Sequence, residues 1–227
     1  MRDINKQDIR LTVDIVVFSV ISDELKVLLV KRKYDPFKGE YAIPGGFVKN
    51  EESLEEAARR ELAEETNVKN IFMKKLGAYG AVDRDPRGRI VSVVFMALID
   101  SEEFELKATT DALEADWVAV DIISKLAFDH LKILSDCLKE LKYEIQTTNI
   151  ASQLLPDRFT LTELQVLYEK ILGLNLDKRN FRKKIKSFDI LKATKDSKME
   201  GAHRPAQLFI FKDKDYRPLK DKVQVLL

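Results

Sequence analysis

Gly45-Gly46-Phe47-Val48-Lys49-Asn50-Glu51-Glu52-Ser53-Leu54-Glu55-Glu56-Ala57-Ala58-Arg59-Arg60-Glu61-Leu62-Ala63-Glu64-Glu65-Thr66-Asn67-Val68 is the stretch around which the rest of the chain can be read. Ser53 followed three residues later by Glu56 is a capping box, in which each side chain satisfies the other residue's amide at the start of a helix. The predicted helix carries Leu54, Ala57, Ala58 and Leu62 at helical spacing. At about 100° per residue, Glu61, Glu64 and Glu65 leave it from neighbouring angles on one or two turns. Three carboxylates so close repel each other unless a cation joins them, and such hard oxygen donors suit Mg or Mn. Arg60 stands one turn before Glu64, close enough to orient a carboxylate through a charged hydrogen bond. A solvated acidic helix face would be equally rich in Glu. It would not account for the Pro44-Gly45-Gly46 turn ahead of the helix, or for the placement of Glu52.

The spacing of Gly46, Glu52, Arg60, Glu61, Leu62, Glu64, Glu65 and Val68 resembles a Nudix box. Only the late glycine of the pattern departs. Asn67 stands there, and Asn is the next residue after Gly to tolerate the left-handed conformation that ends a helix. The resemblance implies a metal site in which Glu64 and Glu65 ligate the ion, Glu61 ligates it or orients the attacking water, and the Gly45 carbonyl completes the shell. Glu61 and Arg60 are then the candidate catalytic residues.

The 227 residues are long enough for one large domain or two smaller ones, and 45% hydrophobic with 34% charged residues is an ordinary globular balance. Cys137 has no second cysteine to pair with, and its place on an amphipathic pattern predicts a packing role. No apolar run approaches a membrane span and the first residues lack a signal-peptide core, so a cytoplasmic protein with no membrane partner is expected. The net charge of +1 hides an asymmetry: residues 151–227 hold 17 Lys and Arg against 10 Asp and Glu, whereas the first 150 hold 22 against 28. A basic half after an acidic one invites a polyanion, although solvated lysines would give the same count.

Along the chain, Leu11–Ile21 and Leu25–Arg32 read as strands joined by a hairpin at Ser22-Asp23-Glu24. Tyr41–Ile43 runs into the Pro-Gly-Gly turn. Residues 72–82, 89–99 and 116–120 give further strands, and Asp129 caps a helix with Leu131, Leu134, Leu138 and Leu141 at helical spacing. Mixed strands with helices on their faces predict an α/β sandwich of the α+β kind. From Gln146 to Arg158 the periodicity lapses into a polar, Pro-containing linker, which suggests one domain over residues 1–148 and another over 149–227. In the second, a helix with Leu164, Leu167, Tyr168 and Ile171 on one face stops at Gly173. A second helix, from Lys178 to Phe188, turns Phe181 and Ile185 inward and carries Lys178, Arg179, Arg182, Lys183 and Lys186. Strands near 190–194 and 207–211 then enclose a tip holding Lys198, Gly201, His203 and Arg204. Helix, turn, basic helix and hairpin resemble a winged helix-turn-helix, whose second helix enters the major groove of double-stranded DNA.

Taken together, the two halves resemble the Nudix-related bacterial transcription regulators, the NrtR family and its sugar-responsive relatives. Beyond the box, the resemblance rests on Pro36-Phe37, the loop Asp83-Arg84-Asp85-Pro86-Arg87-Gly88, Phe128-Asp129-His130-Leu131, Phe159-Thr160-Leu161 and Asn180-Phe181-Arg182-Lys183. It implies a Nudix α/β/α sandwich followed by a winged helix, a homodimer on a palindromic operator, and release when a metabolite, ADP-ribose or a sugar, occupies the Nudix domain. Pro36, Phe37, Asp83, Arg84 and Arg87 are the implied ligand-binding residues. Lys178, Arg179, Asn180, Arg182, Lys183, Lys186 and Arg204 are the implied DNA-binding ones. Such regulators often lack the catalytic carboxylates. This chain keeps Glu61, Glu64 and Glu65, so the alternative is a Mg-dependent hydrolase of the ADP-ribose pyrophosphatase type with an accessory C-terminal unit. His130, in the first turn of its helix, is expected to pack or hydrogen-bond rather than to catalyse.

Overall fold

The computed structural model describes residues 8–69, 71–100, 112–199 and 205–219. The chain divides into two compact units, Met1–Ser19 with Lys26–Cys137, and Val20–Leu25 with Leu138–Leu227.

In the first unit the organising strand is β1 (Arg10–Ile21), whose apolar run from Val13 to Phe18 is interrupted only by Asp14. A strand that apolar must be covered on both faces. Its residues Arg10–Phe18 run parallel to Ile90–Leu98 of β6, and Thr12–Asp14 pair antiparallel with Gly45–Phe47, which form the three-residue β4. With β2 (Glu24–Arg32), β3 (Tyr41–Ala42), β5 (Met73–Tyr79) and β7 (Ala112–Ala119) they make a seven-stranded mixed sheet. Its order is β3-β2-β1-β6-β5, with β4 against β1 and β7 against β2. Strand side chains alternate between faces. Val13, Ile15 and Val17 therefore share a core cluster with Ala57, Ala58 and Leu62 of helix α1 (Leu54–Thr66), while Asp14 points to the other face.

Helix α1 begins at the capping box of Ser53 and Glu56 and ends at Asn67, whose left-handed backbone (φ 64°) lets its amide reach the Ala63 carbonyl. The residue that departs from the box pattern thus adopts the conformation a glycine would supply. The Pro-Gly-Gly turn continues as a strand because Gly45 approaches β1 more closely than any side chain permits. A Cβ there would lie 2.1 Å from the Val13 carbonyl oxygen.

Helix α2 (His130–Thr147) starts in the first unit, where Asp129 offers its carbonyl to the Ile133 amide, and its last turns lie in the second. The polar stretch after it is not loosely solvated. Thr148, Asn149, Ile150, Ala151 and Ser152 are buried, the last three within a 3-10 turn over Ile150–Gln153. Asn149 explains the polarity: its Nδ2 donates to the carbonyls of Asp213 and Asp215 at 3.2 and 2.8 Å, and its Oδ1 accepts the Arg217 amide at 2.8 Å. Buried Glu144 accepts from the Tyr216 hydroxyl at 2.6 Å. Polar residues here are buried and paired, which a composition-based reading takes for a linker.

The remainder of the second unit is β8 (Phe159–Thr160), α3 (Leu161–Leu172), α4 (Lys178–Ser187), β9 (Leu191–Lys198) and β10 (Ala206–Phe211), with sheet order β8-β10-β9. Thr160 and Glu163 form the capping box of α3, and Gly173 (φ 72°) ends it. Asp177 caps α4 through the Asn180 amide. Tyr168 meets Phe181 edge-on at 5.3 Å and Phe159 meets Phe211 at 5.0 Å, so aromatic pairs fix the two helices and the hairpin around one small core. This is a winged helix. Gly201, His203 and Arg204, expected at its tip, lie outside the described residues.

Candidate ligand cleft and nucleic-acid interface

A cleft of about 530 Å³ opens in the first unit, and three walls of different chemistry line it. The acidic wall is the C-terminal half of α1. Arg60 organises it: its Nε and Nη2 grip Glu52 at 2.8 and 2.5 Å, its Nη1 donates to Glu61 at 2.7 Å and Glu64 at 3.1 Å, and its Nη2 also reaches the Phe47 carbonyl at 3.1 Å. Glu65 accepts the Gly45 amide at 2.8 Å, which ties the Pro-Gly-Gly turn to this wall. Gly46 lies flat against Glu61, where a Cβ would fall 2.4 Å from the carboxylate. Hydrogen bonding to Arg60 holds the Glu52 carboxyl down to about 2. Burial drives Glu61 the other way, above the ordinary carboxylate range, despite its bond to Arg60.

A buried polar floor follows from Asp14 on β1. Its Oδ2 accepts the Ser92 hydroxyl at 2.5 Å and lies 3.5 Å from Arg84 Nη2. Arg84 is buried and forks onto Asp129 at 3.0 and 2.7 Å; burial would lower its pKa, but Asp129, Asp14 and Asp85 together raise it. His130 Nδ1 accepts the Ile43 amide at 2.9 Å, and burial lowers the imidazole pKa.

The third wall is aromatic and cationic. Phe128 lies under both Arg32 and Arg87, at 4.7 and 5.1 Å, and Phe47 under Arg87 and Arg10, at 5.3 and 5.4 Å. Guanidinium groups stacked on ring faces are held in place, and here their edges are braced as well: Arg32 donates from Nε and Nη2 to the Pro36 and Tyr34 carbonyls, and Arg87 from Nε and Nη2 to Asp85, so that each keeps its Nη1 for an anion. Burial, and then repulsion by Arg87, lowers the Arg32 pKa.

In the second unit, α4 buries only Phe181 and Ile185, one turn apart, so its other faces carry charge. Lys178, Arg179, Asn180, Lys183 and Lys186 are exposed. Arg182 is half-buried and spends one nitrogen on Thr162 Oγ1 at 3.3 Å. Exposed Lys192 and Lys195 on β9 extend the basic character into the hairpin, whereas Lys198 is paired with Glu163 at 2.6 Å.

Both halves match known families. Residues 10–137 match the model of the NUDIX domain, and residues 151–211 that of the NrtR DNA-binding winged helix domain. The chain belongs to the Nudix-related NrtR family. It is 37% identical to the ADPR responsive transcriptional repressor NtrR of Acinetobacter baylyi, over 91% of this chain and 83% of that one. Shewanella oneidensis NrtR complexed with a 27mer DNA superposes with a TM-score of 0.79 at 34% identity, covering 89% of this chain and 93% of the other. The NUDIX domain of that NrtR, complexed with ADP ribose, gives 0.56 at 34% identity over 60% of this chain and 90% of its own. The chain is also 44% identical to an ADP-ribose pyrophosphatase of Methanocaldococcus jannaschii over 138 residues, which make up 61% of this chain and 80% of that enzyme. The NUDIX domain family generally uses divalent metal ions.

For an NrtR-family cleft, the structure gathers Arg60, Glu61, Glu64, Glu65, Gly45, Arg84 and Arg87 on its walls. It places three other candidates off them. Asp83 is exposed on the loop, the Pro36 carbonyl accepts Arg32 Nε at 2.8 Å, and Phe37 buttresses Phe128 edge-on at 4.8 Å. Among the described residues no three His, Cys, Asp or Glu side chains are placed to hold a metal ion together, because Arg60 holds Glu61 and Glu64 while Glu65 turns to Gly45. As donors they still fit one: all three are hard oxygen groups on one wall, and a cation would favour the ionised form of half-buried Glu61 that its surroundings disfavour. Asp14, Arg32, Phe47 and Phe128 also line the cleft and escape a sequence reading. Only Asp14 offers a signal, as the lone charge within the Leu11–Phe18 run.

Proposed function

We propose that the chain is a transcriptional repressor that binds a palindromic operator as a homodimer through α4, and leaves it when ADP-ribose occupies the Nudix cleft. The observation that supports this most is the union, in one chain, of a cleft with anion-meeting and ring-stacking walls and a winged helix with a free basic face. The named relatives point the same way: one is ADPR responsive, and another has been solved with DNA and, as its NUDIX domain, with ADP ribose. In this reading a Nudix domain over residues 1–148 senses, and a DNA-binding domain over residues 149–227 reads the operator. Arg32 and Arg87 meet the pyrophosphate while Phe47 and Phe128 offer ring faces to the base. Lys178, Arg179, Asn180, Arg182, Lys183 and Lys186 face DNA. Two half-sites about one helical turn, ~34 Å, apart call for a two-fold dimer. A role on DNA places the protein in the cytoplasm, and genes that make or recycle NAD are fitting targets because ADP-ribose is what NAD cleavage leaves.

The test is a gel shift with the DNA upstream of the protein's own gene. A retarded complex that ADP-ribose dissolves supports the reading. Absence of binding to any palindrome near NAD-related genes, or a protein that sediments as a monomer both free and on DNA, overturns it.

A second reading keeps hydrolysis of ADP-ribose-type pyrophosphates. What favours it is the intact set Glu61, Glu64 and Glu65 on the cleft wall, together with the likeness to an ADP-ribose pyrophosphatase. Glu61, Glu64 and Glu65 would hold Mg or Mn, which when bound supplies charge neutralisation at the pyrophosphate and a more acidic water. Glu61 then orients the water, and Arg60 keeps Glu61 in place. Turnover of ADP-ribose that disappears in Glu64→Gln with the fold intact supports this; a flat time course with ADP-ribose in the presence of either metal counts against it.

A further inference from the structure

Asp14 and His130 line the cleft although their side chains are only 8% and 6% exposed. The fold uses half of each. Asp14 Oδ2 takes the Ser92 hydroxyl, but among the described residues Oδ1 receives no hydrogen bond. His130 Nδ1 accepts the Ile43 amide, and an imidazole nitrogen that accepts bears no proton, so the ring proton sits on Nε2. Nε2 and Asp14 Oδ1 stand 3.6 Å apart, beyond hydrogen-bond reach. The cleft thus holds one fixed acceptor beside one fixed donor, and neither satisfies the other. Both residues line the cleft, so a ligand hydroxyl there can donate to the one oxygen and accept from the neighbouring N–H.

We infer that the Asp14–His130 pair is a sugar-hydroxyl subsite that takes the terminal ribose of ADP-ribose and selects against nucleotides that stop at the second phosphate. This rests on the proposed ADP-ribose reading and goes beyond it in naming the residues that recognise the far end of the ligand. A phosphate is repelled by Asp14. A base finds its ring faces at Phe47, which is 37% exposed at the more open edge, and keeps the adenosine ribose beside it. The buried pair is left for the other sugar. Asp14 also abuts Gly45, whose amide holds Glu65, so a sugar here sits next to the carboxylate wall that the pyrophosphate faces.

The experiment is calorimetric titration of the full chain without metal, using ADP-ribose and ADP in parallel, on wild type, Asp14→Asn and His130→Asn. The His130→Asn change keeps an oxygen near the Nδ1 position for the Ile43 amide and removes only the Nε2 donor. Wild type should prefer ADP-ribose, and each variant should lose about tenfold or more in ADP-ribose affinity with ADP affinity changed by no more than about twofold. Equal losses on the two ligands, or no loss, overturn the inference. A wild type that binds both equally well overturns it while leaving the functional reading intact; one that binds ADP but not ADP-ribose removes the functional reading as well. If Asp14→Asn fails to fold, as judged by lost ADP binding, His130→Asn decides.

Discussion

Arg60 and Glu52, eight residues apart in the sequence, meet through two parallel hydrogen bonds, Nε to Oε2 at 2.8 Å and Nη2 to Oε1 at 2.5 Å. The fork ties the loop before α1 to the middle of the helix, and the same guanidinium then restrains Glu61 and Glu64. Because the Glu52 carboxyl is held at about 2, below its ordinary 4.5, the pair stabilises the fold fully above the ordinary value. That stability is lost as pH falls towards 2. Urea unfolding of wild type and Glu52→Gln across this range should show a gap that is widest above pH ~5 and closes in acid. A gap independent of pH would mean that the carboxylate charge is not what matters.

Asn67 sits at φ 64° at the end of α1. Asn67→Gly should be neutral or slightly stabilising, whereas Asn67→Ala should cost about 1 kcal/mol, because a Cβ is disfavoured there and Ala lacks the tolerance of Asn. Paired denaturation curves measure both.

These two sites show what the sequence makes legible. A capping box, a carboxylate triplet and a helix-ending Asn are local patterns, and local patterns fixed α1, its ends and the acidic wall. The same holds for the stop of α3 at Gly173 and the start of α4 at Lys178, whereas the caps at Thr160 and Asp177 emerge from the structure. The aromatic wall was not legible, because it joins Arg32, Phe47, Arg87 and Phe128 from four separate segments. Nor was the left-handed backbone of Phe128 (φ 53°), a conformation an aromatic residue does not advertise. The stretch after α2 misled for a different reason: Asn149 and Thr148 are polar because they hold buried backbone, not because they face water.

His130 gives a pH signature. Burial first, with Arg84 and Arg32 adding to it, depresses its pKa, while Asp14 and Asp129 oppose the change. The unfolded chain therefore takes up the proton before the folded one does. Stability from the neutral ring is present above about 6.5 and declines as pH falls below it. The His130 ring resonances should still report a neutral Nε2–H imidazole at pH 6.5, and His130→Asn should flatten the stability profile just below that pH. A ring half-protonated at 6.5 would contradict this environment.

On DNA, Lys183 and Lys186 are exposed on α4 and make no ion pair among the described residues. Lys183→Ala and Lys186→Ala should each flatten the logarithmic salt dependence of operator binding by roughly 0.9. Arg182→Ala should do so too, but with a loss of stability as well, since Arg182 also bonds Thr162 on α3. Fluorescence anisotropy over a range of KCl, with melting curves alongside, separates the two effects.

If one chain couples an ADP-ribose cleft to an operator-binding helix, binding at the two sites must be linked. If ADP-ribose lowers operator affinity by some factor, operator DNA must lower ADP-ribose affinity by the same factor. Both titrations belong on the same preparation: anisotropy of labelled operator at zero and saturating ADP-ribose, and calorimetry of ADP-ribose with and without saturating operator. The account predicts equal factors of about fivefold or more, both against binding. ADP-ribose that binds the free protein and leaves operator affinity unchanged would contradict it.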